Sequence, residues 1–150
     1  MIILKEINED NFRDCIRLNV FEHQKNFVAP NVYSIAQAYI FYGSAFPYGI
    51  YQDDLMVGFV MLGHNKQEQE FWLWRLMIDE KYQHQGLGNE VVKLALEKFR
   101  EMGASEVYLS YEPENHVADA LYRKFGWLPT GKVENGEIVM CLKLTEVTHV

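Results

Sequence analysis

Apolar residues change their spacing along this chain. Between Leu55 and Ile78 they form two short dense blocks, "LMVGFVMLG" and "EFWLWRLMI", separated by the polar "HNKQEQ". Blocks of that length bounded by polar breaks predict strands. With "YGIYQ" and the turn Asp53-Asp54 ahead of them they read as an antiparallel meander. From Leu87 to Met102 the period becomes helical, with Leu87, Val91, Val92, Ala95, Phe99 and Met102 on one arc and Glu90, Lys93, Glu97, Arg100 and Glu101 on the other. Gly103 ends that helix and "EVYLSY" is the next strand, so strand, loop, helix and strand form a parallel crossover.

The flanking segments fit the same scheme. "IILKEI" is a strand, Asn8 caps a helix carrying Phe12, Cys15, Ile16 and Leu18, and a second helix covers Ser34 to Tyr42. Asn115 caps a helix with the stripe Val117, Ala118, Leu121, Tyr122 and Phe125, ended by Gly126. "WLPTG" and "EIVMCLKL" are strands joined by a hairpin turn at Asn135-Gly136. The class is mixed α/β (α+β), with a mostly antiparallel sheet and flanking helices.

Composition narrows the functional classes. A chain of 150 residues without a repeat or a Pro/Gly/Ser linker is read as one domain over its whole length. No apolar run approaches the eighteen or so residues that span a bilayer, and "MIILKEINEDN" has no basic n-region, so a cytoplasmic protein is expected. With 21 acidic and 14 basic residues, a net charge of -7 argues against nucleic acid or anionic membrane as partner and mildly favours a cationic ligand. Cys15 and Cys141 lack metal or redox spacing and are read as reduced structural thiols. His64, His84, His116 and His149 have no ligand spacing, so no metal is expected.

The candidate chemistry lies in "IDEKYQHQGLGNEVV". Gly86 and Gly88 open the long helix, where free backbone N–H groups and the helix dipole favour an anion. Neither carries a Cβ to hold a phosphate away. The dinucleotide fingerprint fails because Val91 stands at its third glycine, and no GKS or GKT follows for a Walker A loop. What remains is Gln83-x-x-Gly86-x-Gly88. This resembles the pyrophosphate loop of the GCN5-related N-acetyltransferases (GNAT family). "FWLWRLMIDEKYQ" before it and "YEPENHVADALYRKFGWLPTG" after it resemble that family's fourth strand and its later Asn-capped helix. "NFVAPNVYSIAQAY" and "SYEPEN" look like the bacterial spermine/spermidine branch.

The resemblance implies a fold in which the fourth and fifth strands splay to hold acetyl-CoA, and a reaction that acetylates a small amine, with a polyamine favoured. It implies coenzyme contacts from Gln83, His84, Gln85, Gly86, Leu87, Gly88 and Asn89, from the main chain of Met77 and Ile78, and from Asn115 and Tyr122. The Met77 amide would stabilise the oxyanion and Tyr122 would be the general acid. An alkylammonium of pKa near 10.4 is only about one part in two thousand neutral at pH 7, so the site must also favour deprotonation. Glu70, Glu22 and His23 are candidates for receiving the proton, and the sequence does not choose among them. Glu22, Trp72 and Trp74 are candidates for binding the amine, the tryptophans through one shared strand face. Other acceptors, such as an aminoglycoside, an amino acid or a protein N-terminus, and an acyl-CoA-binding sensor with little turnover, stay open. Homodimers are common among similar proteins, but no coiled-coil heptad is visible here.

Overall fold

The computed structural model describes residues 1–144. Strands β1 (Ile2–Glu6), β2 (Ala45–Gln52), β3 (Leu55–Asn65) and β4 (Glu70–Ile78) form the antiparallel run that the apolar blocks predict. After them come β5 (Glu106–Tyr111), β6 (Leu128–Glu134) and β7 (Glu137–Lys143), in a seven-stranded sheet ordered β1-β2-β3-β4-β5-β7-β6. The helices are α1 (Phe12–Arg17), α2 (Asn31–Ile40), α3 (Leu87–Glu101) and α4 (His116–Lys124). Joined through α3, β4 and β5 are parallel, as expected for the crossover.

The unbroken apolar run of β3 has a simple cause: both of its faces are covered. Val57, Val60 and Leu62 pack with Val91, Val92, Ala95 and Phe99 of α3. Phe59 and Met61 belong to a second core with Cys15 of α1 and Ile35 and Ala38 of α2. In β4 the alternation is broken once. Leu62 pairs with Leu73 and Met61 with Arg75, which leaves Trp74 as an extra residue in a β-bulge. Phe71, Leu73, Leu76 and Ile78 therefore all meet the α3 core, while Trp74 and Met77 meet the other. Gly58 allows β3 to approach the end of β4, since a Cβ there would lie 2.5 Å from the Met77 carbonyl oxygen.

Some local expectations change. The N-cap of α1 is Asn11, and Asn8 instead accepts from the amides of Asp10 and Asn11 in the turn before it, at 2.8 and 3.1 Å. Helix α2 begins directly after Pro30, whose fixed φ suits a helix start, three residues ahead of Ser34. Val117, placed on the apolar stripe of α4, is 71% exposed and lines the groove described below. Asn115 does cap α4 through Ala118 N, and Asn135 and Gly136 take the left-handed conformations of a two-residue hairpin turn. His149 lies outside the described residues.

Candidate active site

Strands β4 and β5 are paired only at Phe71–Val107 and Trp72–Tyr108. Beyond those pairs β4 bonds to β3 and β5 to β7, and the two strands part. The separated stretch of β4 from Leu73 to Ile78 is about 17 Å long at roughly 3.3 Å per residue. It forms one bank of a groove of about 1570 Å³ whose opposite bank includes Leu109, Ser110 and Tyr111.

The glycine loop closes one end of this groove. Gly86, with φ at +78°, is the N-cap of α3 in a left-handed conformation, and no side chain caps the helix. The first-turn amides are thus free of a side-chain acceptor at the positive end of a 15-residue helix. A Cβ on Gly86 would meet nothing within 4 Å, and one on Gly88 would meet only Leu121 Cδ2 at 3.5 Å. The left-handed turn accounts for glycine at 86. Asn89 Oδ1 is buried in the same wall without a hydrogen-bond partner. Uncapped amides and open space at Gly86 fit a phosphate-bearing arm lying along β4.

The Gln83 side chain braces the loop from within the groove wall. Its Nε2 donates to the Ile78 carbonyl at 2.9 Å and to Gln24 Oε1 at 2.9 Å, tying the loop to the end of β4 and to the 3-10 turn Glu22–Gln24. Asp79 strengthens the same corner by accepting from the amides of Asn19 and Lys81. Across the groove, Tyr111 donates to Asp119, which also accepts from Arg123 Nε at 3.0 Å. These bonds fix α4, and with it Tyr122. Burial holds the Tyr122 phenol well above its usual pKa, so it keeps its proton at any working pH.

Of the residues singled out from the sequence, the groove gathers Met77, Ile78, Trp72, Trp74, Asn115 and Tyr122, together with Gln83, His84 and Gly86 through Asn89. It does not include Gln85, Glu70 or Glu22 among its lining residues. Glu70 accepts from Trp72 Nε1 at 3.0 Å near the foot of β4. Glu22 is on the surface, paired with Lys25 Nζ at 2.8 Å with its side chain 88% exposed. His23, on the same short turn, stacks on Phe21. Trp72 and Trp74 do share a side, both lying against the Cβ direction of Gly63.

Among the groove residues that the sequence reading does not single out, Glu137 and Arg75 bear most on its charge. Glu137, from β7, accepts from Ser110 Oγ at 3.2 Å, and nothing local marks it. Arg75, from β4, had a visible signal: a lone cation inside an apolar strand. Among the described residues no three His, Cys, Asp or Glu side chains gather as metal ligands, and no helix is long and apolar enough to cross a membrane.

A groove between parting parallel strands, closed by a glycine loop at a helix start, defines an acyl-coenzyme site, and residues 6–127 match the model of the acetyltransferase (GNAT) family. The chain belongs to that family and is an N-acetyltransferase. It is 30% identical to the spermine/spermidine N(1)-acetyltransferase of Bacillus subtilis, over 95% of this chain and 99% of that one. Its fold is similar to the crystal structure of spermidine N-acetyltransferase from Vibrio cholerae in complex with CoA and spermine, with a TM-score of 0.77 at 17% identity, covering 95% of each chain. It is also similar to the PaiA N-acetyltransferase of Thermoplasma acidophilum in complex with coenzyme A, with a TM-score of 0.71 at 16% identity, covering 96% of this chain and 99% of that one.

Proposed function

We propose that the protein transfers the acetyl group of acetyl-CoA to a primary amine of a polyamine such as spermidine or spermine. The observation that carries this reading is near full-length similarity to a spermine/spermidine N(1)-acetyltransferase, in a chain whose groove has an aromatic and acidic side. Bound acetyl-CoA supplies an activated thioester. The chain supplies the rest. The uncapped amides after Gly86 suit the pyrophosphate, and the main chain of Met77 and Ile78 suits the arm beyond it. An amide there also serves the oxyanion. Tyr122, protonated and lining the groove, is the donor to the departing thiolate.

The acceptor's other ammonium groups need faces that attract cations. Trp72 offers an aromatic ring and Glu137 a carboxylate on the walls of the same groove, while the Trp74 ring already lies 5.5 Å from the Arg75 guanidinium. The test is thiol release with a panel of amines at low salt. Spermidine and spermine should exceed butylamine in kcat/KM, with an advantage that falls as salt screens the charges. Equal use of spermine and butylamine, or turnover of an aminoglycoside alone, would overturn the polyamine assignment.

A further inference from the structure

The groove holds a charge of the wrong sign for a cationic substrate. Arg75 projects from β4 immediately after the Trp74 bulge and lines the groove. Its Nη2 donates to Gln37 Oε1 of α2 at 2.9 Å and its Nη1 to the Trp74 carbonyl at 3.1 Å, while Nε is buried without a partner. Both acceptors are neutral, and no carboxylate among the described residues forms a salt bridge with it. The guanidinium centre sits 5.5 Å from the centre of the Trp74 ring. A half-buried cation without an ion pair is costly, so its retention at the start of the parted strands calls for a role.

We propose that the Arg75 guanidinium keeps the acceptor amine uncharged, by like-charge repulsion of its ammonium form in the groove. The inference rests on the amine-acetyltransferase reading and adds the origin of the neutral nucleophile. Neither Glu70 nor Glu22, the carboxylates considered as bases, lines the groove. A cation needs no proton acceptor on the protein: the ammonium gives its proton to solvent water or buffer at the groove mouth, and the freed lone pair is then available to the thioester carbonyl. A nearby positive charge lowers an amine's pKa just as a nearby negative charge raises it. At roughly 6 Å, with an effective dielectric constant near 20, the effect is about 1 to 2 pH units.

The groups facing Arg75 permit this. Gln37 and Tyr33 approach from α2 and Glu137 from β7, and burial lowers the guanidinium's pKa while Glu137 and Tyr33 partly offset that. A guanidinium stays charged at working pH even when burial lowers its pKa. Elsewhere on the groove wall, Lys25, Lys66 and Lys124 add positive charge, Glu112 adds negative charge, and His64, His84, Tyr82, Tyr111 and Tyr122 are titratable. Glu137 is a carboxylate on the same groove wall that can hold a further ammonium of the acceptor, while Arg75 disfavours one beside β4.

The two charge states separate in kinetics. Arg75→Gln should let the unreactive ammonium form bind, so kcat and KM at pH 7 should fall together by about tenfold to a hundredfold, with the acid limb of kcat moving up by about 1 to 2 pH units. Arg75→Lys should restore the limb. Calorimetry of amine binding at about pH 9.4 in two buffers of different ionisation enthalpy should find roughly half a proton or more released per spermidine by the wild type and little by Arg75→Gln. Any amine from the panel that turns over can replace spermidine, so loss of the polyamine assignment leaves this test intact. The proposal falls if Arg75→Gln leaves the kcat profile in place, or if both variants lose activity equally at every pH, as a structural role requires. It falls also if Arg75→Gln raises KM only for amines bearing a carboxylate, which would make Arg75 an anion anchor.

Discussion

Gln24 and Gln83 face each other amide to amide, with Gln83 Nε2 donating to Gln24 Oε1 at 2.9 Å and Gln24 Nε2 donating back to Gln83 Oε1 at 3.1 Å. The pair joins the segment before α2 to the loop before α3, across 59 residues of chain.

If the pair braces the coenzyme loop, cutting either side should have one shared effect. A hydrogen bond worth about 1 kcal/mol corresponds to roughly fivefold in affinity. Gln24→Ala and Gln83→Ala should each raise the KM for acetyl-CoA about threefold to tenfold, with Gln83→Ala the more harmful because it also releases Ile78. The double variant should match Gln83→Ala. Additive losses in the double-mutant cycle would mean that the residues act separately.

Gly86 and Gly88 should differ. At φ +78°, Gly86 resists any side chain by about 1 kcal/mol, and a side chain there would stand in open space at a groove-lining position. Gly86→Val should therefore weaken acetyl-CoA binding more than tenfold. The space beside Gly88 admits a methyl in ordinary contact with Leu121, so Gly88→Ala should hold Tm within about 2 °C and report on the ligand alone. Unchanged coenzyme affinity in Gly86→Val, read by calorimetry, would remove the pyrophosphate from this loop.

Tyr122→Phe removes a proton donor and keeps the ring against Trp127, 5.5 Å away between centroids. kcat should drop about tenfold to a hundredfold while coenzyme affinity and Tm stay close to wild type. Because burial raises the phenol's pKa, Tyr122 is protonated past pH 10, and a wild-type alkaline limb below that pH belongs to another group. A kcat within about twofold of wild type across the pH range would leave Tyr122 a packing residue only.

Glu137→Gln should raise the KM for spermidine about threefold to tenfold more than that for butylamine, an excess that fades in high salt. Glu22→Gln, at an exposed site paired with Lys25, should change either value less than twofold. The reverse ranking would put the anchoring carboxylate on the segment before α2.

Cys15 gives stability a pH dependence. Burial pushes its thiol from 9.0 up to about 12, so the folded protein disfavours the thiolate. Below pH 9 both states carry a neutral thiol and stability is full. Between pH 9 and 12 the unfolded chain ionises first, and stability should fall by up to about 1.4 kcal/mol per pH unit from this group. Urea unfolding of wild type and Cys15→Ala at pH 8 to 11 should give a shallower slope for the variant. Equal slopes would assign the alkaline loss elsewhere.

The parts legible in the sequence are those written locally. The period of α3, the Asn115 cap and the Asn135-Gly136 turn each depend on residues a few positions apart, and each is found as expected. The order of strands is different. That β7 lies between β5 and β6 follows from pairings that no short pattern encodes, and this brings Glu137 to the groove. Glu22 was a reasonable anchor by charge alone, yet its turn leaves it in solvent. Asn8 gives up the cap to a neighbouring asparagine, and Val117 faces the open groove instead of the core.

The bulge in β4 can be counted as an insertion. Leave Trp74 out, and the strand alternates without interruption: Phe71, Leu73, Leu76 and Ile78 to one side, Trp72, Arg75 and Met77 to the other. The bulge absorbs the extra residue, so the positions on either side of it keep their faces. A chain built this way gains or loses a side chain at the mouth of its reaction groove while the core behind it keeps its register. Among descendants of one ancestor, acceptor choice can then diverge by length at a single position as readily as by substitution.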